Sequence, residues 1–171
     1  MTTREIIDEI VTACALELFG PHDTEVARGD KRLDPHEYVS VIGFYGSSMH
    51  GALGLGVDRG VIGLMMNGPT GDFCQRSLAE DWVGETANQL LGRIKNKLLA
   101  YDVTVGLGVP MVLRGVEVHL ATSTSDVWHY RFVCPQGGLT VWFDCRMDEA
   151  LVLERSEAPD LVAREGELTM F

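Results

Sequence analysis

The chain has 171 residues, 46% hydrophobic and 23% charged, which suits one soluble globular domain with a real core. Its formal net charge of -11 argues against nucleic acid or an anionic membrane surface as the main partner, since either would repel it. Cys14, Cys74, Cys134 and Cys145 are widely spread and form no C-x-x-C pair, so reduced, packed thiols are expected rather than a disulfide framework or zinc site. The first residues alternate charge with Ile and Val and show no signal-peptide h-region. No apolar run reaches membrane-spanning length, so a cytoplasmic location is expected.

The run "TTREIIDEIVTACALELFGP" reads as a helix, because Ile6, Ile7, Ile10, Val11, Cys14 and Leu18 recur at helical spacing. Thr2 or Thr3 can cap its start, and Gly20-Pro21 can end it. The polar run "HDTEVARGDKRLDPHE" is a loop with a short strand. "YVSVIGFYGSSMHGALGLGVD" reads as a hairpin, two β-rich, glycine-dotted runs around "SSMHG". "DRGVIGLMMNGP" is a short helix capped by Asp58 and closed by Gly68-Pro69. "TGDFCQRS" follows as a loop, and a long helix runs from about Leu78 to Leu99. "DVTVGLGVPMVLRGVEVHLATS", "VWHYRFVC" and "GLTVWFDCRM" read as strands, with "PQGG" a hairpin turn. "ALVLE" is a candidate further strand, and the tail from residue 156 to 171 shows no periodicity.

The long helix carries the strongest pattern. At ~100° per residue, and with Val83 at zero, Ala87, Leu90, Ile94 and Leu98 fall within roughly 60° of zero, with Leu91 a little wider. That is a core stripe. Asp81, Glu85, Asn88 and Gly92 fall near ~160°, ~200°, ~140° and ~180°, a strip opposite the core. The plain reading is a solvated helix face. Against it, Asn and Gly are poor residues inside a helix, costing up to ~1 kcal/mol each for no local gain. Gly92 would also let another molecule approach the backbone.

The block "DWVGETANQLLGRIKNKLLAYDVTVGLGVPMVLRG" resembles the centre of the CheX/CheC family of chemotaxis phosphatases. Those proteins carry a D/S-x-x-x-E-x-x-N signature on a helix, followed by a strand and a proline. Asp81, Glu85 and Asn88 match the signature, and Pro110 matches the proline. "SVIGFYGSSMHGALGLGVD" is similar to the family's hairpin before the motif helix, and the likeness covers roughly the first 150 residues. Among the asparagines, Leu64 stands three before Asn67 and Arg93 three before Asn96, so only Asn88 has its glutamate. A single motif marks the chain as similar to CheX-type rather than two-motif CheC-type members.

The resemblance implies a substrate, a CheY-like response regulator bearing an aspartyl phosphate. It implies that the receiver supplies Mg²⁺ and a lysine, with no cofactor or metal on this chain. Glu85 and Asn88 would be the catalytic pair: Asn88 would position the attacking water, and Glu85 would pair with the receiver's lysine. Asp81 and Gly92 would be partner-binding positions. It also implies a homodimer. "VWHYRFVC" and "GLTVWFDC" give that separate support, as long aromatic-rich strands with few charges to blunt an exposed edge. A rival reading is a non-catalytic module that binds a receiver or the flagellar switch.

Other chemistries find little support. No cysteine has an arginine six positions later, and no G-x-S-x-G elbow occurs. Gly54, Gly56 and Gly60 give G-x-G-x-x-x-G inside a hairpin, which misses dinucleotide spacing. His22, His36, His50, His119 and His129 show no H-x-x-x-H pair and read as surface or satisfied side chains. Trp128, Tyr130 and Trp142 read as core or interface aromatics, and Trp82, beside the motif, as half-buried packing or a contact for the receiver. The expected architecture is α+β, a CheC-like fold with two long helices packed on a largely antiparallel or mixed sheet. Its single domain spans residues 1–155, with 156–171 as a tail.

Overall fold

Helix α1, Thr3–Phe19, begins where the sequence offers Thr2 as a cap. The Glu5 backbone N–H donates to the Thr2 hydroxyl at 3.3 Å, and the Thr2 N–H donates back to the Glu5 carboxylate at 2.7 Å. This reciprocal pair satisfies two donors that a helix start leaves open. The Thr2 backbone and side chain hold the Glu5 carboxyl below the usual carboxylate range. The computed structural model describes residues 1–20, 25–28, 35–67, 76–120 and 127–155.

The remaining elements are β1 (Glu25–Arg28), β2 (His36–Tyr45), β3 (Met49–Val57), α2 (Arg59–Asn67), α3 (Arg76–Leu98), a 3-10 turn (Leu99–Tyr101), β4 (Gly106–Leu107), β5 (Met111–Val118), β6 (Val127–Cys134) and β7 (Gly137–Met147). The strands form one seven-stranded sheet in the order β1-β6-β7-β3-β2-β4, with β5 also on β2. Every pairing among the described residues is antiparallel. The alternation of β7 puts Leu139, Val141, Phe143 and Cys145 in the core. Ile42 and Phe44 of β2 and Leu53, Leu55 and Val57 of β3 join them. α1 brings Ile7, Val11 and Cys14 to the same core, and α3 brings Val83, Ala87, Leu90, Leu91, Ile94 and Leu98. The α+β fold with two long helices on an antiparallel sheet is therefore present.

Four expectations change. β6 and β7 are interior strands: β6 lies between β1 and β7, and β7 between β6 and β3. Glu25 to Arg28 pair with Tyr130 to Val133, so this half of β6 is no open edge and that support for self-pairing falls. "ALVLE" adds no strand; residues 151–155 are irregular. They are tied to α1 instead, where the Thr3 hydroxyl donates to the Leu151 carbonyl at 3.1 Å and Leu153 is buried. Arg76 and Ser77 belong to α3 rather than to the preceding loop. Asp58 receives the first N–H groups of α2 through its backbone carbonyl, from Val61 at 3.0 Å and Ile62 at 3.2 Å. Its carboxylate is engaged by the sheet. The expected ends at Gly20-Pro21 and Gly68-Pro69, the Cys74 loop, His22 and the tail 156–171 lie wholly or partly outside the described residues.

Candidate functional site

The strip on α3 is held outward from both sides. On the α1 side Glu17 accepts from Lys97 at 2.8 Å and pairs with Arg93 at 3.5 Å. On the other side Glu80 pairs with Arg114 of β5 at 3.7 Å. Between these ties the apolar stripe is buried and fixes the helix rotation. Asp81 and Glu85 are exposed, and Asn88 and Gly92 are partly exposed. All four sequence-predicted site residues thus stand on the solvent side of one helix. Trp82 is partly buried against the core, in agreement with a packing role.

Two glycines of α3 differ in what surrounds them. A Cβ on Gly84 would meet Val112 Cγ2 at 3.2 Å and Pro110 Cγ at 4.0 Å, so Gly84 lets the helix lie close to β5. A Cβ on Gly92 would meet nothing within 4 Å. Packing inside the chain accounts for the first glycine and not for the second. One turn along, the Gln89 side-chain amide donates to Glu85 Oε1 at 3.1 Å. That contact escaped the sequence reading, although spacing of four on a helix was available to suggest it.

A second polar cluster lies across the sheet. His36 is 5% exposed; its Nδ1 lies 3.0 Å from Asp58 Oδ1 and its Nε2 2.8 Å from the Thr140 hydroxyl. Asp58 Oδ2 accepts from the Gly138 N–H at 2.7 Å. Gly56 makes room for the ring, since a Cβ there would meet His36 Cδ2 at 2.3 Å. The adjoining cavity, lined by Val39, Gly56, Val118, Leu120 and Trp142 with His36 and Thr140, holds about 10 Å³, space for about one water. Both ring nitrogens are engaged and no substrate fits, so the cluster ties β2, α2 and β7 together. The sequence hid it, because Thr140 lies 104 positions from His36. His36 and His50 sit in strands rather than loops.

Cys14 and Cys145 are buried. Burial pushes the Cys14 thiol up to about 12, which leaves it without thiolate character near neutrality. No group of three or more His, Cys, Asp or Glu side chains among the described residues is placed to hold a metal ion. No helix among them is long and apolar enough to cross a membrane.

The family described as chemotaxis phosphatase CheX matches residues 38–133, a span that holds nearly all of the hairpin, α3, β4, β5 and nearly all of β6. The chain belongs to the CheX family. A search of curated proteins finds no match. Among solved structures, a CheC-like superfamily protein from Shewanella sp. PV-4 is similar at TM-score 0.73 and 17% identity, over 85% of this chain and 99% of that one. The chemotaxis protein CheX from Vibrio vulnificus is similar at 0.71 and 15% identity, over 82% of this chain and 99% of that one. The CheX of a CheX-CheY-BeF3-Mg²⁺ complex from Borrelia burgdorferi is similar at 0.64 and 16% identity, over 83% of this chain and 96% of that one. These likenesses establish the CheC-like fold of this CheX family member.

Proposed function

We propose that this protein is a phosphatase of a CheY-like response regulator, with Glu85 and Asn88 as the pair that enters the receiver's site. The observation that carries the reading is the placement of both side chains on the solvent side of α3, beside a glycine with open space above it. CheX family membership supports the reaction, and the Borrelia CheX-CheY complex supports the class of partner. In the reaction, water attacks the phosphorus of the aspartyl phosphate. The acyl P–O bond breaks, releasing inorganic phosphate and the free carboxylate. The receiver's Mg²⁺ and lysine offset the charge of the phosphoryl group, and the element it lacks is a held nucleophile. The Asn88 side-chain carbonyl accepts from the water and fixes it in line, which lowers the barrier chiefly through entropy. Glu85 pairs with the receiver's lysine and sets the register. Asp81 and Gly92 lie within the docking face. On this reading no metal or cofactor is held by the chain itself.

The experiment is phosphate release from each phosphorylated receiver domain of the source genome, with and without the protein. Catalytic acceleration of at least one supports the reading. Binding to a receiver with no acceleration would replace it with a non-catalytic receiver-docking module.

A further inference from the structure

Glu85 is an exposed side chain on a helix face, and an exposed glutamate samples several rotamers unless something holds it. In this protein Gln89 does so, through the 3.1 Å bond from its amide to Glu85 Oε1. Gln89 falls at roughly 240° on the wheel that puts Glu85 near ~200°, so its amide reaches across the strip from the side of α1. We infer that Gln89 is a positioning residue for the dephosphorylation reaction, holding the Glu85 carboxylate ready for a cationic side chain of the receiver. The inference rests on the functional reading above.

The chemistry of the amide suits that task. A neutral donor occupies one carboxylate oxygen and leaves the negative charge in place. The second oxygen, Oε2, stays open to an incoming ammonium. Lysine at the same position would give a stronger helix pair, since glutamate followed four residues later by lysine is the favoured order. It would also cancel the charge that the receiver's lysine must find and repel that lysine on approach. Glutamine therefore sacrifices a little helix stability and keeps Glu85 both ordered and charged.

The test is steady-state phosphate release from the phosphorylated receiver that the wild-type protein turns over fastest. Gln89→Met keeps length and loses the donor; it should raise KM by about two- to fivefold with kcat little changed. Gln89→Lys should raise KM further, by about three- to tenfold, while its unfolding midpoint stays at or above that of the wild type. That opposition separates aiming from mere support of the helix, because a structural role predicts that the stabler variant works at least as well. Gln89→Met with wild-type KM, or Gln89→Lys with wild-type KM, overturns the role of Gln89 and leaves the phosphatase reading intact. A wild-type protein that accelerates no receiver overturns the reading and the inference with it.

Discussion

Gly84 and Gly92 stand eight positions apart on one helix, and the first is packed on β5 while the second faces open space. A helix glycine without a packing reason costs about 0.5–1 kcal/mol relative to alanine. Gly92→Ala should therefore raise stability by up to ~1 kcal/mol in denaturant titration and at the same time weaken receiver docking. Gly84→Ala should do the opposite, lowering stability by about 1–2 kcal/mol because Val112 must give way. A Gly92→Ala protein with wild-type stability and wild-type KM would show that neither cost nor function attaches to this glycine.

The cluster of His36, Asp58 and Thr140 is a stability element away from the reaction. Asp58→Ala removes the acceptor of both the His36 ring and the Gly138 N–H. Unfolding should become easier by about 1–3 kcal/mol, with kcat on a phosphorylated receiver unchanged in the folded fraction. A loss of kcat without a loss of stability would move this cluster into the reaction.

How much could be read in the sequence differs between α3 and the sheet. The strip of Asp81, Glu85, Asn88 and Gly92 was legible because helical periodicity is local, and Val83 to Leu98 state it several times over. The hairpin of β2 and β3 was legible for the same reason of proximity. Strand order was not, because the cover for β6 comes from Glu25 to Arg28, a short piece inside a polar run far away in the chain. His36 illustrates the same limit. Its ring is placed by Asp58, Thr140 and the absence of a side chain on Gly56, none of which its own neighbourhood announces.

His129 gives a pH prediction. Burial lowers its pKa below the ordinary value of about 6.5. Above that value the ring is neutral in both folded and unfolded chains and adds no pH dependence. As pH falls below it, the unfolded chain takes up the proton first, so stability is lost with falling pH. The melting temperature of the wild type minus that of His129→Gln should therefore drop between pH 7.5 and pH 5.5. A constant difference would contradict the shift.

We propose that the protein is a homodimer, and this now rests on its resemblance to CheX-type proteins alone. If two copies extend one sheet, the interior strands β6 and β7 give way to the marginal ones, β1, β4 and β5, of which the longest is β5. It pairs with β2 and presents Met111 at 63% and Val116 at 95% exposure. Light scattering at micromolar concentration should give about twice the chain mass of 18.8 kDa, and Val116→Lys should shift the protein toward monomer. A stable wild-type monomer would contradict the proposal without touching the chemistry of α3.

Substitution at Glu85 should act on association. Glu85→Ala removes the charge proposed to meet the receiver's lysine, so KM should rise by about tenfold or more with a smaller change in kcat. Raised ionic strength should weaken the wild type and leave the variant less affected. A variant whose KM and salt response match the wild type would remove Glu85 from the interface.

The most direct measurement of the central claim is the rate of phosphate release from a phosphorylated receiver in the presence of Asn88→Ala. Asn88 is partly exposed and is not one of the buried core residues, so the variant should fold and bind as the wild type does. Binding should survive while hydrolysis falls by at least about tenfold toward the receiver's own rate, because the water would no longer be held in line. An Asn88→Ala protein that hydrolyses the phosphate at the wild-type rate would contradict the claim.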